Sequence, residues 1–288
     1  MVAGDEGQAD VTGPGRGDLT TAPRSLRNQG PGCTSRRYRP RMQLVVPSFG
    51  RLKAGELHRY LQPSAKRLTV LDCRPVRWVE PAGLVALAVC AQHAVLSGRA
   101  LRLMAPEDPK LARYMSRMRL PAVLNALGGQ HDLPDVREHD TAGDLFELTE
   151  FTGARGAERL AGMVLDKVIA TTGVEVATGL FRSICEVGQN VPHHSGVRTG
   201  FLAAQTTNYG RRVQFAVADG GKGMMPSLAR HGAGSDATAI KLAVEQGLSE
   251  TGEHHRGIGL QETRRLRRQP APALRACCRY LLRRVKHA

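Results

Sequence analysis

From residue 43 onward, apolar residues fall into short continuous runs that alternate with longer stretches of helical spacing. Gln43 to Pro47 reads as a short strand. Ala54 to Lys66 reads as a helix limited by Pro63, with Leu57, Tyr60 and Leu61 at helical spacing. Leu68 to Cys73 predicts a buried strand, and Pro81 to Ser97 a helix with Pro81 in its first turn and Gly98 just past its end. Ala100 to Met104 predicts another strand, Lys110 to Met118 a helix and Pro121 to Leu127 a shorter one. Strands separated by helices in this rhythm predict a small α/β layer structure over residues 43–128.

Residues 129–144, rich in Gly, Asp and His, read as a linker. A second block opens with a strand at Leu145 to Thr149 and two long helical stretches, roughly Gly156 to Thr171 and Val174 to Asn190. Phe201 to Ala204 and Val213 to Ala218 read as strands, the second running into Asp219. Asp236 to Gln246 reads as a helix with Ile240, Leu242 and Ala243 as its core stripe. Residues 1–42 hold clustered Gly, Pro, Ser, Thr and Arg without apolar periodicity, which predicts a disordered leader.

Composition narrows the function classes. The net charge of +15 sits mostly at the two ends: residues 256–288 carry +9 and residues 1–42 carry +3, which leaves +3 on the central 213 residues. A basic tail binds anionic surfaces without reading sequence, and aromatics are only 4%, so no specific nucleic-acid recognition is expected. No run reaches the roughly 18 to 20 apolar residues of a membrane span, and the start lacks the pattern of a signal peptide, so a cytoplasmic location is expected. Six cysteines occur without a C-x-x-C pair, which predicts reduced thiols and no structural zinc.

Three motifs in the second block stand in an informative order. Glu186-Val-Gly-Gln-Asn190 places a carboxylate and an amide oxygen four residues apart on one helix face, a pair suited to a water and a hard cation such as Mg²⁺. Asp219-Gly-Gly-Lys-Gly223 follows a strand directly, so a carboxylate can accept hydrogen bonds from a ligand where the backbone comes close. Gly257-Ile-Gly259-Leu260 opens a helix whose free N–H groups suit phosphate oxygens. Each motif alone is common. His193, His194, His254 and His255 read as surface histidines, and Lys222 as an exposed turn lysine.

Together the three segments resemble the N, G1 and G2 boxes of the GHKL (Bergerat-fold) ATP-binding domain, over about residues 145–268. This superfamily includes the anti-sigma-factor serine kinases. The resemblance implies a two-layer α/β sandwich of the histidine kinase-like ATPase type that binds ATP and Mg²⁺. Glu186 would orient or activate the attacking group and Asn190 would ligate the metal. Asp219 would hold the adenine amino group, with Gly221 and Gly223 shaping that wall, and Gly257 and Gly259 would meet the phosphates. Residues 224–256 would form the ATP lid.

The first block has its own resemblance. Leu68 to Asp72, Val79-Glu-Pro-Ala-Gly-Leu84 and the helix that follows are similar to a STAS domain, the fold of anti-sigma-factor antagonists, over about residues 43–128. The phosphorylatable members carry a Ser just before the Gly-Leu pair. Ala82 stands there, which implies a docking or regulatory module without a phosphoacceptor hydroxyl. Residues 269–288 depart from the family pattern and read as an atypical basic tail. The two resemblances imply an Mg-ATP-binding regulator, a serine/threonine protein kinase-like member of a partner-switching pathway. Its partner would be a sigma-factor-pathway or STAS protein, with homodimerisation left open. The alternative is a non-catalytic, ATP-controlled protein-binding module.

Overall fold

The computed structural model describes residues 42–45, 50–51, 67–137, 145–207, 212–223 and 225–246. The expected leader, the helix over 54–66, the third glycine motif and the basic tail lie outside the described residues. The fold is mixed α/β.

In the first block, β1 (Met42–Val45), β3 (Leu68–Asp72), β5 (Ala100–Met104) and β6 (Gln130–His131) form a four-stranded parallel sheet in the order β1-β3-β5-β6. Parallel neighbours require crossovers, and α1 (Pro81–Leu96) supplies the one between β3 and β5. A two-residue strand β2 (Gly50–Arg51) pairs with β4 (Val76–Trp78) beside it. Two helices follow β5: α2 (Pro109–Arg117) and α3 (Leu120–Ala126). Asp108 caps α2 by accepting the Lys110 amide at 2.9 Å, with Pro109 in the first turn where its missing N–H loses nothing. The strand β6 lies inside the stretch read as a linker, being too short to show any periodicity.

The second block is an antiparallel sheet, β7 (Leu145–Thr152), β8 (Thr199–Thr207) and β9 (Arg212–Ala218), with a helical hairpin of α4 (Gly153–Thr172) and α5 (Val174–His194). Gly173, at φ +82°, joins the two helices. Gly188 lets α4 and α5 approach closely, because a Cβ there would sit 2.4 Å from that of Ala157. The short α6 (Met225–Leu228), a 3₁₀ turn (Ala229–His231) and α7 (Asp236–Gln246) complete the described chain. Leu228, Ala233, Ala239 and Ala243 from this last segment are buried in the same core as α4 and α5. Part of the stretch read as a lid is therefore packed; its remainder lies outside the described residues.

The two blocks share a core. Strand alternation sends Leu202, Ala204, Val213, Phe215 and Val217 toward α4 and α5. The opposite face carries Phe201, Ala203, Ala216 and Ala218, which join the cluster formed by α1 and the parallel strands. Helix α1 explains why. Every residue from Pro81 to Ala94 is buried, and a helix that is apolar on all sides must be covered on all sides. The parallel sheet covers one flank, and the small side chains of β8 and β9 cover the other.

Polar contacts fix the register of this junction. The Tyr114 hydroxyl on α2 donates to Gln205 Oε1 at 2.6 Å, Gln205 Nε2 donates to Gln214 Oε1 at 2.8 Å, and Gln214 Nε2 donates to Glu80 Oε1 at 3.1 Å. Arg117 bonds Glu147 at 2.7 Å, and the Leu148 amide donates to the Met118 carbonyl at 3.0 Å. A buried polar chain with its donors matched to acceptors admits one sliding position of the layers. Among the described residues no helix is long and apolar enough to cross a membrane.

Candidate functional site

Strand β9 delivers Asp219 to the end of the antiparallel sheet, where the chain turns through Gly220 and Gly221. The Gly221 amide donates back to Asp219 Oδ1 at 2.8 Å, an Asx-type turn that aims the carboxylate. Burial pushes the Asp219 carboxyl above its ordinary range. Hydrogen bonds from Gly221 N–H and the Ser195 side chain pull the other way without cancelling that effect.

Ser195 is the residue at which α5 ends, and it clamps the helix end to this turn. Its carbonyl accepts the Lys222 amide at 2.7 Å, and its hydroxyl accepts the Val197 amide at 3.1 Å. Gly221 lies so close that an added Cβ would stand 2.1 Å from the Ser195 carbonyl oxygen. Gly223, at φ +77°, takes a left-handed conformation that a side chain resists.

The helix that ends at Ser195 carries Glu186 and Asn190. Both are half-buried, between the inward Ile184, Val187 and Val191 and the exposed Arg182 and Gln189. Pro192 lies inside α5, which continues to His194 rather than stopping near Asn190. The proline forfeits one backbone bond, and its place in the last turn keeps that loss local.

The structure places Asp219, Gly221 and Gly223 in one turn, and Glu186 and Asn190 on the helix whose end packs against that turn. Gly257 and Gly259 lie outside the described residues. Spacing misses Ser195, passed over beside two histidines, and Gln92. On α1, Gln92 Oε1 accepts the Gly220 amide at 3.2 Å, and its Nε2 donates to Thr199 Oγ1 on β8 at 2.7 Å. The available signal is an amide within an otherwise apolar run, Leu84-Val-Ala-Leu-Ala-Val-Cys-Ala91.

A carboxylate has about four acceptor positions, and the two bonds from Gly221 and Ser195 leave capacity for an amino group on a ligand. Asn190 carries a neutral side-chain oxygen, a ligand type that Mg²⁺ accepts beside water and phosphate. Among the described residues no group of three or more His, Cys, Asp or Glu converges on a point. In comparisons with family models, curated proteins and solved structures, nothing matches this chain.

Proposed function

We propose that the chain is an Mg-ATP-binding regulatory protein in which a GHKL-type nucleotide module, residues 145–268, is joined to a STAS-like module, residues 43–128. The observation that supports this most is the aimed, half-buried Asp219 carboxylate at the end of β9, clamped to the end of the helix that bears Glu186 and Asn190. A carboxylate held this way accepts from the exocyclic amine of adenine.

In the kinase form of this reading, Asn190 would hold the Mg²⁺, which would supply positive charge against the phosphates. Glu186 accepts the proton of a Ser or Thr hydroxyl on a partner protein. The resemblance would give the phosphates to Gly257 and Gly259, which lie outside the described residues. The function is cytoplasmic and the partner is a sigma-factor-pathway or STAS-type protein.

The test is a titration of the full chain with Mg-ATP beside Asp219→Ala and Asn190→Ala. Saturable binding by the wild type that is lost in Asp219→Ala and loses its Mg²⁺ dependence in Asn190→Ala is expected. Absence of wild-type binding overturns the reading. Glu186→Ala then separates chemistry from binding: phosphate transfer to a partner vanishes while nucleotide binding persists.

A further inference from the structure

Gln92 belongs to the first block, yet its carboxamide is wedged into the turn that carries Asp219 in the second. It is 5% exposed and makes two bonds there: it accepts from the Gly220 amide and donates to the Thr199 hydroxyl. The Gly220 N–H can only donate, so it fixes which end of the carboxamide faces it, and Nε2 is left to donate to the Thr199 hydroxyl. Contact is tight as well, since a Cβ on Gly220 would fall 2.8 Å from Gln92 Oε1. On its other side the same turn is held by Ser195 through the Lys222 amide. The Asp219-Gly-Gly-Lys segment is thus gripped from α5 in its own block and from α1 in the other.

We propose that Gln92 is a positioning residue through which the first block sets the shape of the Asp219 turn, and thereby the nucleotide affinity of the second block, within one chain. The proposal rests on the nucleotide reading of Asp219. Any displacement of α1 from the antiparallel sheet withdraws an acceptor from the Gly220 amide and loosens the carboxylate beside it. A partner that pulls on the first block would therefore weaken nucleotide binding without touching the nucleotide.

The experiment pairs two measurements on the full chain: amide hydrogen exchange at Gly220 and Gly221 without ligand, and Mg-ATP titration. The variants are Gln92→Met, which keeps volume and loses both bonds, and Thr199→Val, which removes the partner of Nε2. Tyr114→Phe disturbs the same junction away from the turn. Gln92→Met is expected to speed Gly220 exchange and weaken Mg-ATP binding about 3- to 10-fold, the loss of one ordinary hydrogen bond. Thr199→Val moves both readouts in the same direction, whereas Tyr114→Phe leaves Gly220 protected and affinity unchanged. Should Gln92→Met fail to fold, Thr199→Val carries the same test.

Wild-type exchange at Gly220 in Gln92→Met and Thr199→Val overturns the grip. Faster exchange with unchanged affinity overturns the control of binding. A wild type that binds no Mg-ATP overturns the nucleotide reading and the affinity claim with it, while the exchange data, which need no ligand, still decide whether Gln92 holds the turn.

Discussion

A Cβ placed on Gly221 would lie 2.1 Å from the carbonyl oxygen of Ser195 and 2.4 Å from its Cβ. The end of α5 and the turn after β9 touch through bare backbone, and neither can retreat, because Ser195 O also accepts the Lys222 amide.

Gly221→Ala should therefore destabilise the fold by roughly 1–3 kcal/mol, as overpacking does at a contact made of backbone. Urea unfolding followed by circular dichroism measures it. Gly162→Ala is the counterpart: this α4 glycine has open space around its Cβ position, and the substitution should stabilise by about 0.5–1 kcal/mol. Equal effects at the two glycines would contradict the close contact at Gly221.

Asp219 gives a signed pH dependence. Its carboxyl is raised in the folded state by burial, so its contribution to stability is full below the ordinary carboxylate value of 3.8 and is lost as pH rises through the higher folded value. Asp219→Asn cannot ionise and escapes that loss. The variant should gain stability relative to wild type between about pH 3 and neutrality, read from melting temperatures across the range. It should also lose Mg-ATP binding under the proposed function.

Glu147 behaves in the opposite sense. Burial pushes its carboxyl up, but hydrogen bonds from its own backbone amide and from Arg117, with the charges of Lys167 and Arg117, bring it below the ordinary value. Its stabilisation is present above the ordinary value of 4.5 and fades as pH falls through the lower folded one. A double-mutant cycle of Arg117→Met and Glu147→Gln should give a coupling of about 0.5–1 kcal/mol at neutral pH, since both side chains keep some contact with water. The coupling should fade as pH falls through the lowered folded value.

Tyr114→Phe removes the hydroxyl at the head of the Tyr114–Gln205–Gln214–Glu80 chain. Gln205 and Gln214 are both buried, so the orphaned acceptor finds no water easily. A loss of about 1–2 kcal/mol is expected in urea unfolding. Full retention of stability would mean that the chain of amides is not what holds α2 to the sheet.

Three buried thiols, Cys73, Cys90 and Cys185, should resist a thiol reagent in the native protein. Burial pushes Cys90 up to about 12 and Cys185 up to about 11, which leaves almost no thiolate at neutral pH. Colorimetric titration with and without denaturant checks this, and prompt native labelling of Cys73 or Cys90 would count against the packing of α1.

Much of the fold is legible in the sequence where the signal is local. Pro81 and Gly98 bracket α1, and Leu68 to Asp72 and Ala100 to Met104 announce their strands by apolar runs. Strands β2, β4 and β6 hold two or three residues each, too few for any period to show. The strand at Leu145 runs on to Thr152, beyond its predicted end, and a register shift between Phe146 and Thr149 accounts for its length not showing as a clean alternation. For the site, Asp219 and its glycines stand out because turn chemistry is written in adjacent residues. Gln92 and Ser195 do not, since their partners are 128 and two dozen or so positions away along the chain and only folding brings them near. The uniform apolarity of α1 says that the helix is covered on every side; it does not say by what.

That helix also has a history within each molecule. A chain made from its N-terminal end completes α1 at Leu96, while β8, which covers one flank, begins at Thr199. Over that stretch of translation an oily face waits without its lid of alanines, at a synthesis rate of about 5–20 residues per second. A nascent chain stalled before β8 would thus expose this apolar flank of α1 to whatever surrounds it.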